Sequence, residues 1–386
     1  MKIVHIAPNA PYNEYWGYQE NLLPKYHKKL GHEVTLIVTN TMHKDGKIVE
    51  TDCCDKILKD GVRLIRLKKK KYIHRILTNL NARLDCFDLL KELRPDFVFF
   101  HGVVSTTIYD VIKYKKQVNS KCKIVCDSHL DENNNSLLGK GIRTKFFCGF
   151  HRVHNKKALK YIEKFYGVTP WRKSYLEKFF KIPPEKTDVL IMGADDEQLD
   201  FQQKKEIREC IREKYNIEQQ EFLILTGGKI DKQKNITLLM KACAQMENIK
   251  LLVFGNVQED IKIEFEKILS EASNISYIGW VAADRVYDYF FAADLVVFPG
   301  GHSVMWEQAC AAKVPCVFKY WEGMEHVNNG GNSEFLDTIT EESIRKKIKE
   351  LQFTEKYKKM KDIAESEKTN IYLYSEIAKK SLEAME

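Results

Sequence analysis

Short apolar segments alternate with helical patterns along almost the whole chain, and this alternation limits the possible folds more than any other feature. The first apolar segment is Ile3–Ala7 and the last is Pro315–Phe318. Strands that alternate with helices are typical of βαβ units, which build parallel sheets with helices on both faces. The sequence therefore predicts an α/β fold with parallel sheets.

The alternation breaks once, and the break divides the chain. After Gly193-Ala194-Asp195 a polar and charged stretch follows, from Glu197 to about Gln220. A chain of 386 residues with 44% hydrophobic content is long enough for two cores. We therefore predict an N-terminal domain over residues 1–195 and a C-terminal domain over residues 196–365.

The segment Gly227–Asn235 lies between an apolar run, Phe222–Leu225, and a helical pattern that begins at Ile236. A strand that ends in glycines and leads into a helix can bind an anion, because its backbone N–H groups and the helix N-terminus favour negative charge. Lys229 and Lys234 add two cations. The segment thus predicts a diphosphate site, although Lys232 and Lys234, taken alone, would more often be solvated loop charges.

Composition and charge narrow the range of partners. The net charge of +8 suits anionic ligands or an anionic membrane surface, but many cytosolic proteins share it. Met1–Pro8 is too short and too polar for a signal peptide and is expected to form the first strand. No apolar run approaches the ~20 residues that span a bilayer. Ten scattered cysteines without a Cys-x-x-Cys pair indicate reduced thiols, so we expect a cytoplasmic protein.

A basic stretch in the predicted N-terminal domain is the second notable feature. Residues 61–75 carry seven Lys or Arg and no acid. The residues that we single out are Lys68, Lys69, Lys70, Lys71 and Arg75. Basic residues beside aromatic ones suit anionic lipid headgroups or a lipid-diphosphate acceptor, which predicts peripheral attachment to the inner face of the cell membrane. A solvated charged face explains the stretch equally well, and without a recognisable nucleic-acid module we expect no nucleic-acid partner.

Five short motifs occur in order along the chain. They are Gly31-His32-Glu33-Val34 with Gly17 in the preceding loop, Gly193-Ala194-Asp195, Lys229 with Lys234, Tyr277-Ile278-Gly279, and Ala292-Ala293-Asp294-Leu295. In this order they resemble the motifs of the retaining glycosyltransferases of family 4, also called glycosyl transferases group 1. The lysine pair keeps the spacing of that family's Arg and Lys, with Lys in place of Arg. The resemblance implies the GT-B fold, in which two Rossmann-like domains face each other across a cleft. It also implies a final helix, at about 366–386, that packs back on the N-terminal domain.

The same resemblance implies a nucleotide-sugar donor held by the C-terminal domain. The residues expected around the donor are Gly17, Gly228, Lys229, Lys234, Gly279, Trp280, Gly300, Gly301, His302, Ser303, Glu307 and Gln308. Lys229 and Lys234, with the backbone of residues 300–303, are expected to stabilise the charge that develops on the departing diphosphate. Cationic side chains and helix dipoles can stabilise this charge without a metal ion. Because no Asp-x-Asp sequence occurs either, we expect neither a metal ion nor another cofactor.

One departure from the family pattern concerns two glutamates that lie a fixed distance apart. No glutamate occupies the first position here, so the family's sugar specificity does not carry over. At the second position, counting back from Pro315 gives Gln308, whereas one extra helical residue would give Glu307. Glu307 is chemically preferable for binding the ribose diol, because a carboxylate accepts two hydroxyl hydrogen bonds.

Polar residues at the ends of two strands indicate the acceptor side. His129 resembles the family's N-domain histidine, which lies near the donor sugar, so we count it with the two lysines as a catalytic candidate. His101, at the end of the preceding strand, is a weaker candidate of the same kind. Asp127 and Asp131 can contact an acceptor hydroxyl, but they can equally well be acids that face solvent without a function. For His129 the alternative is a histidine that only hydrogen-bonds to backbone at a strand end.

These expectations combine into one hypothesis and two rivals. The chain is expected to be a retaining glycosyltransferase, hexosyl or N-acetylhexosaminyl, that acts on a hydroxyl of a glycan or lipid-linked glycan in cell-surface polysaccharide synthesis. The first rival is a GT-B sugar-nucleotide epimerase, which converts the donor without an acceptor. The second is an inactive protein that only binds the nucleotide sugar, which the missing glutamate makes credible.

Overall fold

The chain forms two compact units, which a computed structural model describes over residues 1–14, 16–44, 46–71, 82–132, 142–244 and 246–385. The N-terminal unit comprises Met1–Ile191 and Ile377–Glu386, and the C-terminal unit comprises Met192–Glu376. The sequence placed the two boundaries at 195/196 and about 365/366. The second boundary lies later because the segment around Tyr357 is held on the C-terminal unit, where the Tyr357 hydroxyl donates to the main-chain oxygen of Asp294 at 3.0 Å.

The N-terminal unit contains a large parallel sheet with helices. Its strands are β1 (Lys2–Ala7), β2 (Glu33–Thr39), β3 (Thr41–Lys44), β4 (Lys47–Glu50), β5 (Cys54–Ile57), β6 (Arg63–Leu67), β7 (Lys70–Lys71), β8 (Ala82–Arg83), β9 (Phe97–His101), β10 (Lys123–Ser128), β11 (Lys164–Gly167) and β12 (Thr187–Val189). Its helices are α1 (Gln19–Lys29), α2 (Phe87–Leu93), α3 (Ile108–Gln117), α4 (Ile142–Ala158) and α5 (Pro170–Lys178). The main sheet has the order β12-β11-β10-β9-β1-β2-β6-β5 and is parallel except for the β5–β6 pair.

The central strands of this sheet are apolar on both faces, as is typical of a parallel sheet covered by helices. Every residue of β9 is buried, including His101 at its end. The register with β10 sets His101 directly opposite Asp127. Because neighbouring strands run in the same direction, their carboxyl ends lie at one edge of the sheet, and both polar side chains belong to that edge.

The C-terminal unit contains a second parallel sheet. Its strands are β13 (Phe222–Ile230), β14 (Ile249–Val257), β15 (Ile275–Gly279), β16 (Leu295–Phe298), β17 (Cys316–Lys319) and β18 (Ser333–Leu336). Its helices are α6 (Lys204–Lys214), α7 (Ile236–Ala244), α8 (Lys262–Glu271), α9 (Val286–Ala292), α10 (Met305–Ala311), α11 (Glu341–Leu351), α12 (Glu355–Glu365) and α13 (Tyr374–Ser381), the last of which runs on into the N-terminal unit. The sheet order is β15-β14-β13-β16-β17-β18, so the predicted parallel α/β architecture is confirmed.

β13 corrects one expectation, because it does not end at the glycine pair. It continues through Gly227 and Gly228 to Ile230 and stays paired with β14 along its length. A Cβ on Gly227 would overlap Phe254 of β14. Gly228 has a φ of +103°, and a Cβ there would overlap the side chain of Met305. Glycine is therefore required by close packing around the strand, not by a turn at its end.

Candidate functional site

The turn after β13 is capped by a carboxylate of the chain itself. The Asp231 side chain accepts hydrogen bonds from the backbone N–H groups of Gln233 at 3.0 Å and Lys234 at 3.2 Å. A short 3₁₀ turn, Lys232–Lys234, then leads to Asn235 and α7. Asp231 therefore occupies two of the backbone N–H groups of the segment that was predicted to bind an anion, and the diphosphate site stays a prediction.

A small depression lies among the ends of β13 and β16 and the starts of α7 and α10. It is lined by Gly227, Lys234, Ile236, Phe298, Pro299, Gly300, Gly301, Ser303 and Trp306. Four residues that the sequence predicted for the donor, namely Lys234, Gly300, Gly301 and Ser303, are thus brought together. The depression lies beyond the carboxyl ends of parallel strands, which is where ligands bind in folds of this kind.

Lys234 holds the loop that forms one wall of the depression. Its Nζ donates to the main-chain oxygen of Gly301 at 2.5 Å and to that of His302 at 3.3 Å. Burial lowers the pKa of Lys234 below its ordinary value; Asp231 opposes this shift and Lys229 adds to it. A charge that is partly removed from water acts on a nearby anion through a lower effective dielectric constant. Lys234 is therefore the better placed of the two predicted lysines.

Lys229 is placed differently. Its side chain is 63% exposed and its Nζ lies 3.1 Å from the Asp231 carboxylate. Ion pairs with an exposed partner contribute little, so the amine can leave Asp231 for a ligand at small cost. Lys229 is therefore a largely solvated surface charge, whereas Lys234, for which a solvated charge was the alternative interpretation, is partly buried.

The wall loop is fixed by contacts with the segment that carries Lys234. The side-chain amide of Asn235 donates to the main-chain oxygen of Pro299 at 3.0 Å, and the Gly301 N–H donates to that of Gln233 at 3.3 Å. A Cβ on Gly300 would overlap the main chain of Lys234, whereas a Cβ on Gly301 would meet open space. Of the two loop glycines, Gly300 is therefore the one that packing requires.

Glu307 lies at the centre of a buried cluster with two histidines. Glu307 belongs to α10, His302 to the loop before it, and His326 to a 3₁₀ turn at Glu325–Val327. The Nε2 of His302 lies 2.8 and 3.1 Å from the two carboxylate oxygens, and the Nε2 of His326 lies 2.8 Å from one of them. Burial alone would raise the pKa of Glu307, but the two histidines outweigh it and lower the pKa to about 2. The carboxylate is therefore ionised and is already engaged by two imidazoles.

This cluster bears on the choice between Glu307 and Gln308 as the ribose contact. Glu307 is fully buried, whereas the neighbouring Gln308 is partly exposed. A carboxylate has more acceptor positions than the two histidines use, but a ribose would have to reach it past His302 or His326. The identity of the ribose contact stays a prediction for both residues.

The same three side chains form a possible set of metal ligands. Their ligand atoms lie within 4.8 Å of one another, and two imidazoles with one carboxylate are a common set for zinc. However, the Nε2 of His326 lies at hydrogen-bond distance from Glu307, and its buried Nδ1 has no hydrogen-bond partner among the described residues. A metal-bound imidazole normally donates its other N–H to a partner that orients it. The cluster suits shared protons better than an ion, and the expected independence from metal stays a prediction.

The depression is not lined by every residue that was predicted for the donor. Gly17, Gly279 and Trp280 are among those that do not line it. Gly279 ends β15 with a φ of +73°, and the neighbouring Trp280 is 75% exposed. Gly17 is exposed in the N-terminal unit, and a Cβ on it would meet no described atom within 4 Å. Packing does not explain the choice of Gly17, and its predicted role stays a prediction.

In the N-terminal unit the structure brings together His101, Asp127 and His129. Asp127 is fully buried; its Oδ2 lies 2.8 Å from the Nδ1 of His101, and its Oδ1 accepts from the Gly102 N–H at 3.0 Å. The Nε2 of His129 lies 3.8 Å from Oδ2, and 35% of the His129 side chain is exposed. Burial opposes charge on both groups. The pKa of Asp127 is nevertheless lowered, first by His101 and then by His129. The carboxylate of Asp127 in turn raises the pKa of His129. An ionised Asp127 therefore favours a protonated His129.

Asp131 is also buried, and an arginine that the sequence did not indicate neutralises it. The Nε and one terminal nitrogen of Arg172 each lie 3.0 Å from the Asp131 Oδ2. The alternative that Asp127 and Asp131 are solvent-facing acids is therefore wrong. An acceptor hydroxyl at Asp131 would have to share the carboxylate with Arg172.

The basic stretch gains acidic partners from elsewhere in the fold. Lys68 lies 3.6 Å from Glu50, and Lys70 lies 2.9 Å from Asp85. The basic stretch itself contains no acidic residue. The tertiary structure places acidic side chains from other segments beside its exposed lysines. The electrostatic attraction of this stretch for a membrane is thus weaker than its composition suggests.

The remaining members of the stretch are less exposed or are not described. The Nζ of Lys69 donates to the main-chain oxygen of Asn9 at 3.3 Å. The side chain of Lys71 and the whole of Arg75 lie outside the described residues. Within the described residues, none of the helices combines the length and the apolar character that crossing a membrane requires.

Four polar residues at these sites were missed from the sequence. They are His5, His27, Arg172 and His326. His5 interrupts the apolar first strand, which was a signal that could have been used, because a histidine in such a strand must find a partner when it is buried. The others had no local signal, since their partners lie far away in the chain.

Part of the chain matches a known family. Residues 207–369 match the sequence model of the glycosyl transferases group 1, and this region lies inside the C-terminal unit. The lipopolysaccharide 1,2-N-acetylglucosaminetransferase of Salmonella typhimurium is 30% identical over 150 residues, which cover 36% of this chain and 38% of that protein. The chain thus spans well under half the length of this curated relative.

Solved structures resemble the chain over its whole length. A glycosyltransferase from Rickettsia africae has a TM-score of 0.69 at 16% identity, covering 100% of this chain and 97% of the other. Anabaena Alr3699/HepE, solved in complex with UDP and glucose, has a TM-score of 0.63 at 14% identity, covering 99% of this chain and 98% of the other. These likenesses confirm the predicted GT-B fold class of two Rossmann-like domains. With the family match they also confirm the resemblance to GT-B glycosyltransferases, whereas the assignment to family 4 stays a prediction.

Proposed function

We propose that this chain, a GT-B protein whose residues 207–369 match the glycosyl transferases group 1, is a glycosyltransferase. It moves a sugar from a nucleotide diphosphate to a hydroxyl of a glycan or lipid-linked glycan. The observation that carries this proposal is the placement of Lys234, a partly buried ammonium group beside a glycine-walled depression at the strand ends of the matched region.

The role of Lys234 follows from the charge that the reaction creates. When the bond between sugar and diphosphate breaks, negative charge grows on the leaving oxygen, and a preorganised donor stabilises the transition state more than the ground state. Lys234 is preorganised because two carbonyl oxygens hold its Nζ. Lys229, whose partner Asp231 is easily exchanged, supplies the second cation when the diphosphate arrives.

The donor is proposed to be a uridine diphosphate linked to a hexose or an N-acetylhexosamine. The Salmonella relative is named for N-acetylglucosamine, and the Anabaena protein was solved with UDP and glucose. The exposed ring of Trp280 offers a face on which a base can stack. Glu307, or the neighbouring Gln308, is proposed to face the ribose.

The acceptor is proposed to bind the N-terminal unit near His129. The charge of Asp127 raises the pKa of His129, and the exposed third of the His129 side chain can orient a sugar or an acceptor hydroxyl. We propose a retaining reaction in which a departing phosphate oxygen takes the acceptor proton. No protein nucleophile is required in this scheme.

We further propose that the reaction needs no metal ion. Lys229 and Lys234 supply the positive charge that a divalent cation would bring. The check is turnover after exhaustive dialysis against a chelator. Retained turnover supports the proposal, and a loss that zinc restores would assign His302, Glu307 and His326 to a metal site.

The proposed setting is cell-surface polysaccharide synthesis at the inner face of the membrane. The name of the Salmonella relative refers to lipopolysaccharide, and a lipid-linked acceptor would suit the basic stretch around Lys68 and Lys70. Their pairing with Glu50 and Asp85 limits how much these lysines contribute. The proposal therefore assigns them a modest share of any membrane affinity.

The experiment that tests the proposed activity begins with donor binding. The purified chain is melted in the presence of UDP, UDP-glucose, UDP-galactose, UDP-N-acetylglucosamine and UDP-N-acetylgalactosamine. A ligand that binds the folded state raises the melting temperature in proportion to the logarithm of its concentration over Kd. The donor is expected to give a larger rise than UDP alone, and Lys234→Ala is expected to reduce the rise for every UDP ligand.

Product analysis then separates the rivals. The selected donor is incubated with and without a glycan extract, and the products are identified by mass and by sugar stereochemistry. Transfer only in the presence of acceptor supports the proposal. A change of sugar configuration on the nucleotide without acceptor would assign an epimerase. Binding without any product under either condition would assign a nucleotide-sugar-binding protein and overturn the transferase.

A further inference from the structure

Helix α4 presents apolar side chains to solvent. Phe146 is 59% exposed and Val153 is 57% exposed. They are close to two helical turns apart, so both belong to one face of the helix. Gly149 lies exposed between them, and a Cβ on it would meet no described atom within 4 Å. We call this face, formed by Phe146, Gly149 and Val153, the outer stripe of α4.

The opposite face of α4 is packed against the N-terminal unit. His154 and Asn155 are buried. The ring of His154 meets the ring of Tyr109 on α3 edge to face, with their centroids 4.7 Å apart. The Nε of Arg152 donates to the main-chain oxygen of Phe179 at 2.6 Å. The outer stripe is therefore additional to the face that anchors α4.

The described side chains of α4 reverse the usual pattern of a surface helix. Such a helix normally turns its apolar residues to the core and its polar residues to water. Here the polar His154 and Asn155 are buried, whereas Phe146 and Val153 are exposed. Single exposed apolar residues are ordinary, but two that share a helix face indicate a contact surface.

The charge of α4 has one sign. Its sequence contains five basic residues and no acid, namely Arg143, Lys145, Arg152, Lys156 and Lys157. Basic residues in the last turn stabilise a helix through its dipole, which explains Lys156 and Lys157 locally. The same dipole disfavours Arg143 and Lys145 in the first turn. Helix stability therefore does not account for all of the positive charge.

The lysines near the end of α4 are available to an external anion. Lys156 and Lys157 are exposed, and neither forms an ion pair with a residue that the structure describes. In the basic stretch, by contrast, Lys68 and Lys70 both have acidic partners. Uncompensated positive charge in the N-terminal unit thus lies beside the outer stripe.

We propose that α4 attaches the chain to an anionic lipid bilayer through its outer stripe. The helix lies along the bilayer surface, and Phe146 and Val153 enter the boundary between headgroups and acyl chains. Lys156 and Lys157 lie at the lipid phosphates. Helices that lie in a membrane interface combine these two features, an apolar face and basic flanks.

Other occupants suit the surface less well. Two copies of the chain that met through this face would bring their basic flanks together, and like charges across an interface repel. Nucleic acid would satisfy the charge, but Val153 offers it neither a hydrogen bond nor a ring for stacking. A bilayer with acidic headgroups satisfies the apolar and the charged part at once.

The attachment has a consequence for the acceptor. The helix belongs to the N-terminal unit, which is proposed to bind the acceptor. Attachment through α4 holds that unit beside a lipid-linked acceptor. This consequence rests on the proposed function, whereas the attachment itself does not.

The test is binding of the full chain to lipid vesicles. Sedimentation with vesicles of phosphatidylglycerol and phosphatidylcholine is compared with sedimentation with phosphatidylcholine alone, at low and high salt. We expect binding to the anionic vesicles that salt weakens without abolishing, because salt screens the lysines but not the apolar contact. Absent binding to the anionic vesicles, or equal binding to both kinds, would overturn the proposal.

Two pairs of substitutions separate the apolar from the charged part. Phe146→Ser with Val153→Ser is expected to lower the affinity for anionic vesicles roughly 30-fold and to remove the binding that survives high salt. Lys156→Ala with Lys157→Ala is expected to lower the affinity roughly tenfold at low salt. Wild-type affinity in both variants would place the contact elsewhere and end the assignment to α4.

A matched control for the apolar pair lies in the same unit. Ile48 and Ile57 are at least as exposed as Phe146 and Val153 but lie on strands β4 and β5. Ile48→Ser with Ile57→Ser is expected to keep the wild-type affinity. A loss as large as that of the Phe146 and Val153 pair would mean that the outer stripe has no special role.

Phe146→Trp reports the contact directly. Its fluorescence, taken as the difference from the wild-type chain, is expected to shift to the blue with anionic vesicles and to be quenched by lipids with brominated acyl chains. An unshifted and unquenched signal would place this position outside the bilayer and contradict the proposal. The variant keeps a large apolar side chain, so this measurement decides the question even if the serine pair does not fold.

Two further results would assign another occupant. If the serine pair lowers the sedimentation coefficient of the chain without lipid, the outer stripe joins two copies. If the chain binds an oligonucleotide more tightly than anionic vesicles, and through Lys156 and Lys157, the surface binds nucleic acid. Either result overturns the membrane proposal.

Donor binding keeps this test separate from the test of activity. Because the proposed donor site lies in the C-terminal unit, every α4 variant is expected to keep the wild-type rise in melting temperature with the UDP ligand. Failed turnover therefore leaves the membrane surface intact, and failed vesicle binding leaves the transferase proposal intact.

Discussion

The two units have the same parallel-sheet architecture but differ in the environment of the polar residues at the strand ends. In the N-terminal unit, Asp127 and His101 are buried and satisfy each other. In the C-terminal unit, close packing requires glycine at Gly227 and Gly228 of β13, and Lys234 lines a small depression near the strand ends. One arrangement buries its polar groups against each other, and the other places a lysine among main-chain groups at the strand edge.

This difference shows that fold alone does not determine what a strand edge can do. A buried polar network is costly unless every member finds a partner, so it favours one rigid arrangement. A glycine-walled depression depends instead on close contacts between main chains, which a single added methyl group can destroy. The stability of the buried polar network should therefore depend on pH. The glycine-walled depression should instead be sensitive to added side-chain atoms.

The largest effect is expected from Gly255→Ala in the C-terminal unit. Gly255 has a φ of +125°, and a Cβ there would overlap the main-chain oxygen of Gly228. Both strain and overlap must be relieved by moving β13 from β14, so we expect a loss of more than about 4 kcal/mol in the free energy of unfolding. Urea unfolding followed by circular dichroism measures it. Gly301→Ala, where a Cβ has space, is the control and should stay within about 0.5 kcal/mol; equal losses would contradict the packing argument.

Glu307→Ala is expected to be the next most damaging change. It leaves the buried Nε2–H groups of His302 and His326 without their acceptor, which costs about 1–3 kcal/mol for each unsatisfied donor. Gln308→Ala, one residue along the same helix, is the matched control and should cost less than about 1 kcal/mol. If Gln308→Ala instead weakens binding of UDP-sugars while Glu307→Ala does not, Gln308 is the ribose contact.

Three lysine variants test the depression itself. Lys234→Ala is expected to lower kcat/KM about 100-fold, the usual effect of losing one preorganised donor to a developing anion. Lys229→Ala is expected to lower it about tenfold, because its amine is solvated and must first leave Asp231. Lys232→Ala, an exposed lysine in the same turn, is the control and should leave turnover unchanged. Equal effects at all three positions would mean that only general positive charge matters.

The N-terminal unit is expected to lose stability in mild acid. The pKa values of His5 and His27 are lowered in the folded state, that of His27 to about 3, so below roughly pH 6.5 the unfolded chain binds protons that the folded chain does not. Stability should be highest above that pH and fall as the pH drops below it, by at most about 1.4 kcal/mol per pH unit for His27, with a further loss from His5. Urea unfolding across this range measures the slope, and His27→Gln should reduce it. An unchanged slope in that variant would show that His27 is not kept neutral by the fold.

The smallest effect is expected from the basic stretch. Replacing Lys68 and Lys70 with alanine should weaken binding to anionic lipid vesicles by less than the roughly 30-fold that two basic residues at about 1 kcal/mol each would give. Both lysines also have acidic partners at 3.6 and 2.9 Å. Vesicle sedimentation at two salt concentrations measures this. Lys205→Ala with Lys267→Ala, two exposed lysines of the C-terminal unit, is the control; the same loss there would remove any special role for the stretch.

Much of the fold could be predicted because its signals are local. β9, from Phe97 to His101, lies where the apolar run placed it, and the motif that contains Lys229 and Lys234 lies in the region that matches a known family. The end of β13 could not be predicted, because glycine normally indicates a turn. Here it reflects the approach of Phe254 and Met305, which come from distant parts of the chain.

The sequence predicted which residues belong to the candidate site, but not which hydrogen bonds they form. The sequence placed Glu307, His302 and Lys234 near a donor, yet it could not show that His326 shares the Glu307 carboxylate. Nor could it show that Asp231 caps the turn beside Lys234. Such pairings depend on loops that meet in space, and they leave no periodic or compositional trace.

The order of strands and helices, the apolar character of the buried strands and the position of the lysine pair were determined by the sequence itself, because periodicity and short-range geometry express them directly. The tertiary structure alone decided which polar groups are buried together. Asp127, His101, His5 and His27 come from four separate elements, and only their convergence turns four ordinary side chains into one hydrogen-bonded line. A buried polar group takes whichever partner the packing brings to it, and packing is a property of the whole chain.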